Sequence, residues 1–244
     1  MTAIAANLQA VRTRIVTAER ESGRGHVHRS ANIVASIGPS AVTLLAVSKT
    51  QTAAAVREAY AAGQRAFAEN YVQEGADKVV ALSDIPLEWH FIGPIQSNKT
   101  RVVAAHFDWV HSVDREKTAQ RLAEQREAHQ APLQICLQVN VSGEESKSGV
   151  SPAELPALAL AVSGLPRLQL RGLMCIPEAT DDVGLQRARF AQLRQLRDTL
   201  NESLGLHMDT LSMGMSDDLE SAIAEGATMV RVGTAIFGAR DRNA

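Results

Sequence analysis

Two kinds of apolar pattern alternate along this chain. A helical pattern comes first, in the apolar residues Ile4, Leu8, Val11 and Ile15. Their intervals of four, three and four residues are those of one helix face and predict an amphipathic helix over residues 3–20. Residues 21–40 are polar, contain several glycines and predict a loop.

After this loop, short apolar runs alternate with further helical patterns. The runs predict eight strands, at residues 43–48, 65–69, 88–92, 107–112, 133–141, 168–175, 210–213 and 229–232. The segments between them predict helices at 52–62, 72–82, 98–106, 115–129 and 183–204, and two more after the caps Ser151–Glu154 and Ser216–Asp218.

Repeated alternation of strand and helix is typical of a parallel α/β sheet. Eight units in roughly 200 residues favour a closed (β/α)8 TIM barrel with an extra N-terminal helix. No Pro/Ser-rich linker divides residues 1–244, which we expect to form a single domain. A doubly wound open sheet is the alternative.

The composition excludes several function classes. With 244 residues, 45% hydrophobic and a net charge of -2, the chain gives no electrostatic reason to bind nucleic acid or an anionic membrane. No leader sequence and no apolar run of membrane-spanning length is visible. Cys136 and Cys175 lie in apolar segments and predict buried thiols, so we expect a protein of the reducing cytoplasm.

Lys49 is the most informative residue. It ends the apolar run 44–47, and in a barrel the carboxyl ends of the strands carry the active groups. Apolar surroundings would lower the pKa of its amine, and a neutral amine attacks carbonyl groups to form a Schiff base. The alternative is a lysine whose stem lies on the rim while its ammonium stays in water.

Two other strand ends predict a phosphate site. Strand eight ends in Gly233-Thr234, whose amides and hydroxyl suit a phosphate, and Ser212 at the end of strand seven adds a donor. An ordinary tight turn is the alternative. No His, Cys, Asp or Glu group has the spacing of metal ligands.

Several long motifs resemble one family. They are Ala46–Thr50, Phe67–Glu74, Trp89–Lys99, Leu173–Pro177, Leu211–Asp218 and Val230–Arg240. In these motifs the chain resembles the pyridoxal phosphate homeostasis proteins, of the YggS or PROSC type. The resemblance covers nearly the whole chain and implies the barrel of the alanine racemase N-terminal domain. The chain departs from the family pattern mainly in residues 23–40.

The resemblance implies a cofactor, the vitamin B6 derivative pyridoxal 5'-phosphate (PLP), and a set of residues that bind it. Lys49 would form the Schiff base, Gly233, Thr234 and Ser212 would hold the phosphate, and Arg231 would face the pyridine nitrogen. The set is Lys49, Asn70, His90, Ser212, Met213, Arg231, Gly233 and Thr234. Two alternatives stay open: Arg231 pairs with a carboxylate, or His90, between two aromatic residues, is a hydrogen-bonded core residue.

The resemblance also implies a PLP carrier rather than an enzyme. The alternative is a PLP-dependent racemase, which needs a base on each face of the substrate α-carbon. We expect the second base to be missing, because a racemase takes it from a second domain and the early tyrosines Tyr60 and Tyr71 are poor substitutes. A barrel for another phosphate ligand is a third class.

The resemblance implies PLP as the ligand and apo forms of PLP-dependent enzymes as possible recipients of it. We expect the protein to be a monomer. Residues 144–148 form either a lid or a solvated turn after strand five. Lys147 in that loop is a candidate second amine, a hypothesis from its position alone.

Overall fold

Eight parallel strands form the centre of the molecule. The computed structural model describes residues 2–23, 42–144 and 148–238. Its strands are β1 (Thr43–Val47), β2 (Ala66–Glu69), β3 (Glu88–Phe91), β4 (Trp109–Val113), β5 (Leu133–Gln138), β6 (Leu168–Met174), β7 (Thr210–Ser212) and β8 (Met229–Val232). Each pairs with the next, and β8 pairs with β1, so the sheet closes into the predicted TIM barrel.

Helices surround this barrel. They are α1 (Ala3–Glu21), α2 (Ala53–Ala61), α3 (Val72–Ala81), α4 (Thr100–His106), α5 (Glu116–Gln125), α6 (Leu155–Ser163), α7 (Val183–Leu204), α8 (Leu219–Ala224) and α9 (Thr234–Phe237). The predicted N-terminal helix is confirmed as α1, which buries Leu8, Val11 and Ile15. The loop predicted over residues 21–40 lies almost entirely outside the described residues.

Two hydrophobic clusters stabilise the barrel. The larger one joins strands to helices, and the smaller one comprises Leu45, Val47, Ala66, Ala68, Trp109, Cys136, Met174 and Met229. Neighbouring members of the smaller cluster within one strand are two residues apart, and alternate side chains of a strand point to the same face. The smaller cluster therefore fills the inside of the barrel.

Two helices differ from the prediction. Helix α4 begins at Thr100 rather than at residue 98, and the Ser97 carbonyl accepts a hydrogen bond from the Thr100 hydroxyl. Helix α5 ends at Gln125 rather than at residue 129 because Arg126 turns into the core. Its Nη1 donates to the carbonyls of Ala104 and Phe107, 2.6 and 2.8 Å away, and these contacts satisfy the end of α4.

Both cysteines are buried and unlinked, as predicted. Burial raises the pKa of each thiol to about 12. Across the described ranges, no helix has the combined length and hydrophobicity that crossing a bilayer requires.

Candidate functional site at the barrel mouth

Lys49 lies at the carboxyl end of β1, the end of the barrel at which active sites of this architecture occur. It follows Leu45 and Val47, two members of the inner cluster, at the same two-residue spacing. Lys49 itself is half-buried. A ligand bound in the mouth would therefore lie next to the strand end that carries this amine.

Gly233 holds the turn after β8 against the Lys49 strand. A Cβ atom on Gly233 would lie 3.2 Å from the backbone oxygen of Val47 and 3.4 Å from its Cβ. A side chain at this position would require β1 to move by a few tenths of an ångström, so glycine suits the close approach. Thr234 follows, exposed, at the start of α9. The structure thus brings Lys49, Gly233 and Thr234 to one side of the mouth.

Arg231 lies inside the barrel beneath this turn and is only 3% exposed. Its Nη1 donates to Ser212 Oγ at 2.8 Å and its Nη2 to the Cys175 carbonyl at 2.9 Å. Burial lowers the pKa of Arg231, against the attraction of the Cys175 and Asp218 side chains. Among the described residues no carboxylate forms an ion pair with it, which argues against the carboxylate alternative. A guanidinium so enclosed favours a ligand that accepts hydrogen bonds.

One hydrogen-bonded chain crosses the barrel from Arg231 to the partly exposed Glu88. Its successive distances are 2.8 Å to Ser212 Oγ, 2.8 Å from Ser212 Oγ to His111 Nδ1, 2.9 Å from His111 Nε2 to His90 Nδ1 and 2.7 Å from His90 Nε2 to Glu88 Oε1. His90 also stacks on Trp109, with 5.4 Å between ring centroids. These polar groups lie where many TIM barrels have apolar layers.

The two ends of the chain fix its direction of donation. Arg231 only donates, so the Ser212 oxygen accepts from it, and the Glu88 carboxylate at the other end only accepts. With both imidazoles neutral, the tautomers that satisfy these two ends have Ser212 donate its proton to His111 Nδ1. His111 then donates from Nε2 to His90, which donates to Glu88. Burial, the largest cause, holds the pKa of His111 well below its ordinary value, so this ring stays neutral.

Three predicted cofactor residues lie deeper than expected. His90 and Ser212 are buried members of the hydrogen-bonded chain, and the nitrogens of His90 bond His111 and Glu88. This is the arrangement of a core histidine. Met213 packs in the outer cluster between strands and helices. In this structure the Ser212 hydroxyl contacts Arg231 and His111 rather than the Gly233-Thr234 turn.

Asn70 lies at the mouth, two residues beyond Ala68 of the inner cluster. The Gly93 backbone packs directly on it, since a Cβ atom there would be 2.1 Å from the Asn70 carbonyl oxygen. Asn70 also lines a surface pocket with Tyr71, Val72, Gln73, Pro94, Gln96 and Lys99. Lys147 lies outside the described residues.

Sequence reasoning missed Lys78 and Glu69, which contact the Lys49 strand end. Lys78 Nζ donates to the carbonyl oxygen of Ser48 at 2.6 Å and to Glu69 Oε1 at 2.8 Å. A signal was present: Lys78 lies three residues after Gly75 and four before Leu82, both buried, and so falls on the inner face of α3.

Comparison with known proteins agrees with this geometry. The family model of the alanine racemase N-terminal domain matches residues 26–241. The pyridoxal phosphate homeostasis protein of Pseudomonas aeruginosa is 60% identical over 244 residues, which is 100% of this chain and 99% of that protein. The Escherichia coli protein of the same name is 51% identical over 249 residues, with 99% and 98% covered.

Solved structures show the same fold. PipY of Synechococcus elongatus with PLP bound has a TM-score of 0.80 and 39% identity, covering 96% of this chain and 100% of its own. Alanine racemase of Corynebacterium glutamicum has a TM-score of 0.68 but 18% identity, covering 97% of this chain and 61% of its own, and shares the fold alone. The chain therefore belongs to the alanine racemase N-terminal domain family and, within it, to the pyridoxal phosphate homeostasis proteins.

Proposed function

We propose that this protein binds PLP through a Schiff base with Lys49 and takes part in intracellular PLP supply without catalytic turnover. The observation that carries this proposal is the half-buried Lys49 at the mouth of a barrel whose Arg231 has no carboxylate partner among the described residues. The names of the relatives, and the PLP bound to PipY, support the same cofactor.

The residues at the mouth fit this cofactor chemically. PLP supplies an aldehyde, which condenses with a primary amine with loss of water. Arg231 is the buried donor that would face the pyridine nitrogen, and it would keep that nitrogen unprotonated because it does not accept a proton. Gly233 and the exposed Thr234 would hold the phosphate with backbone amides and a hydroxyl.

The remaining predicted residues take supporting positions. Asn70 would lie beside the ring at the mouth, whereas His90 and Ser212 would orient Arg231 from below through the hydrogen-bonded chain. Met213 would contribute through its backbone, since its side chain packs in the outer cluster. Direct contact of Ser212 with the phosphate stays a prediction and would require its hydroxyl to exchange a partner.

The proposal is tested by incubating the protein with PLP, reducing with borohydride and mapping the labelled peptides. We expect the absorbance of a Schiff base before reduction and one principal label, on Lys49. Lys49→Ala should lose both signals, whereas Lys117→Ala, an exposed lysine on α5, should keep them. Equal labelling of Lys49→Ala and the unaltered protein would overturn the proposal.

A carrier must also release its cofactor. A Schiff base is released by hydrolysis or by transfer to another amine, and Lys147 is our candidate for that second amine from its place in the sequence. Replacing Lys147 by Ala should slow transfer of PLP to an apo-enzyme. Unchanged transfer would remove Lys147 from the proposal while leaving Lys49 in it.

The racemase alternative has one structural observation in its favour. That observation is the position of Tyr71, which directly follows Asn70 and is 50% exposed. Tyr60, by contrast, lies away from the mouth, with the Arg65 guanidinium stacked 4.0 Å from its ring centroid. Incubation of the PLP-loaded protein with L-alanine and with L-serine should leave their optical activity unchanged. If optical activity is instead lost over many turnovers, and the Tyr71→Phe variant no longer causes this loss, the protein is an enzyme.

The cellular setting is part of the proposal. We place the protein in the cytoplasm, because the unlinked thiols of Cys136 and Cys175 suit a reducing compartment. The proposed recipients are apo forms of PLP-dependent enzymes, and the proposed state is a monomer. Light scattering of the PLP-loaded protein, alone and mixed with an apo-enzyme, tests both.

A further inference from the structure

Lys78 lies under the Lys49 strand end and is only 7% exposed. Its ammonium has three hydrogen-bond acceptors: the Ser48 carbonyl at 2.6 Å, Glu69 Oε1 at 2.8 Å and Glu74 Oε1 at 2.6 Å. An ammonium group has three N–H donors, so this arrangement uses all of them. Lys78 is thereby fixed in position by three acceptors, which distinguishes it from an amine available to an aldehyde.

Glu74 holds the other side of Lys49. Its Oε1 accepts a hydrogen bond from the backbone N–H of Thr50 at 2.5 Å. Thr50 has a φ of 64°, in the left-handed region that a β-branched residue rarely adopts. Such a conformation persists only where surrounding contacts impose it, and the Glu74 carboxylate supplies one such contact.

Glu69 completes the arrangement. Its Oε1 accepts from the Ser48 hydroxyl at 2.6 Å as well as from Lys78, and the residue is fully buried. Gly75 packs against the Glu69 side chain, since a Cβ atom on Gly75 would lie 3.0 Å from Glu69 Cβ. Glu69 is therefore enclosed and cannot easily swing away from Ser48.

We propose that Lys78 and Glu74 are positioning residues that clamp the backbone on both sides of Lys49 and so direct its amine into the barrel mouth. Lys78 fixes the carbonyl of Ser48, the residue before Lys49, and Glu74 fixes the amide of Thr50, the residue after it. Both lie on α3, so one helix sets both neighbours of the reactive residue. We call Glu69, Glu74 and Lys78 the α3 clamp.

The α3 clamp rests on the proposed function, because positioning matters only if Lys49 reacts with an aldehyde. A freely turning lysine would react from many orientations, whereas a clamped backbone presents the amine in few. The clamp therefore acts on the rate of Schiff-base formation and leaves the contacts to the phosphate and pyridine nitrogen unchanged.

The first test uses Glu74, whose side chain is 31% exposed, so that its loss should leave the fold intact. Glu74→Ala removes the acceptor for Thr50, Glu74→Gln keeps an oxygen there, and Asp77→Ala removes an exposed carboxylate from the same helix as a matched control. We expect Glu74→Ala to slow Schiff-base formation with PLP about tenfold. Glu74→Gln and Asp77→Ala should react at the unaltered rate.

A second readout separates positioning from general damage. Pyridoxine 5'-phosphate carries an alcohol in place of the aldehyde and cannot form a Schiff base. Glu74→Ala should bind this analogue with unchanged affinity, although it reacts more slowly with PLP. Equal weakening of both ligands would overturn the α3 clamp as a positioning device, and so would an unaltered PLP rate in Glu74→Ala.

The role of Lys78 in the α3 clamp is tested with Lys78→Met, and Lys117→Met, at an exposed lysine, is its control. Lys78→Met should slow the PLP reaction about tenfold or more, while borohydride labelling stays on Lys49. An unaltered rate in a folded Lys78→Met protein would overturn its role. If the unaltered protein carries no label on Lys49, the proposed function fails; if the label is present and the Glu74 and Lys78 variants react normally, only the clamp fails.

Discussion

His111 and Ser212, 101 positions apart in the sequence, are hydrogen-bonded inside the barrel, with 2.8 Å between Nδ1 and Oγ. They belong to β4 and β7, which are not neighbours in the sheet, so this bond crosses the interior. Both residues are buried, and each would lose a partner if the other were removed. The orientation of Arg231 depends on this crossing bond, because Ser212 also accepts from Arg231 Nη1.

Ser212→Ala should therefore lower the free energy of unfolding. It leaves Arg231 Nη1 and His111 Nδ1 without their common partner, at a cost of about 1–3 kcal/mol. Chemical denaturation measures the effect. Ser163→Ala, which removes an exposed hydroxyl from the end of α6, is the control and should change stability little. If Ser212→Ala lowers the free energy of unfolding no more than the control does, the Ser212 hydroxyl does not contribute to stability.

His111 should make stability depend on pH. Burial holds its pKa in the native state below the ordinary value, so the unfolded chain takes up a proton that the native protein does not. The corresponding stability is present above pH about 6.5 and is lost as the pH falls, by up to about 1.4 kcal/mol per unit. Unfolding measured between pH 7 and pH 5 should show this slope.

His111→Asn should be less stable overall but show a shallower decline over the same pH range, because one titrating group is gone. His129→Asn, at an exposed histidine, should leave the slope unchanged. Identical slopes for His111→Asn and the unaltered protein would contradict the assignment of the slope to His111.

Gly172 should tolerate no side chain. It pairs with Thr210 across β6 and β7, and a Cβ atom would lie 1.8 Å from the Thr210 carbonyl oxygen. The Gly172→Ala substitution must push these two strands apart. We expect the free energy of unfolding to fall by about 4 kcal/mol or more, or the protein to fail to fold. Gly164→Ala is the matched control: its nearest atom is 4.0 Å away. Thermal unfolding of the two variants should differ widely, and similar melting temperatures would contradict this account.

The two thiols should be unreactive in the native protein. Burial raises the pKa of Cys136 and Cys175 to about 12, so almost no thiolate is present at pH 8. A chromogenic disulfide reagent should report no thiol in native buffer and two in denaturant. Rapid reaction of either thiol in native buffer would show that the barrel opens more readily than this packing indicates.

The barrel was predictable because its signals are local. Helix α7 was predicted with its observed bounds, since Phe190, Leu193 and Leu200 repeat on one buried stripe. Strand β8 was also predicted over its full range. The end of α5 was not predictable, because it depends on carbonyls of α4 that Arg126 reaches only in the folded chain.

The candidate site likewise has residues that the sequence could predict and residues that it could not. Lys49 and Gly233 stand out because a strand end and a turn are visible in sequence. By contrast, Glu74 and Lys78 have the four-residue spacing of an ordinary helix pair. The pattern of α3 places Lys78 on the inner face, but its contact with Ser48, beyond the end of β1, exists only in the folded chain. The role of His111 was equally invisible, because its partner Ser212 belongs to a distant strand.

Closure of the cylinder between β8 and β1 has a consequence for biosynthesis. Leu45 pairs with Arg231 across this seam, so the first and last strands build the proposed cofactor site together. A nascent chain that has exposed Lys49 but still holds β8 in the ribosomal tunnel lacks both the arginine and the Gly233 turn. Under the proposed function, complete assembly of the PLP site would therefore have to wait until the final strand has been translated and has paired with β1.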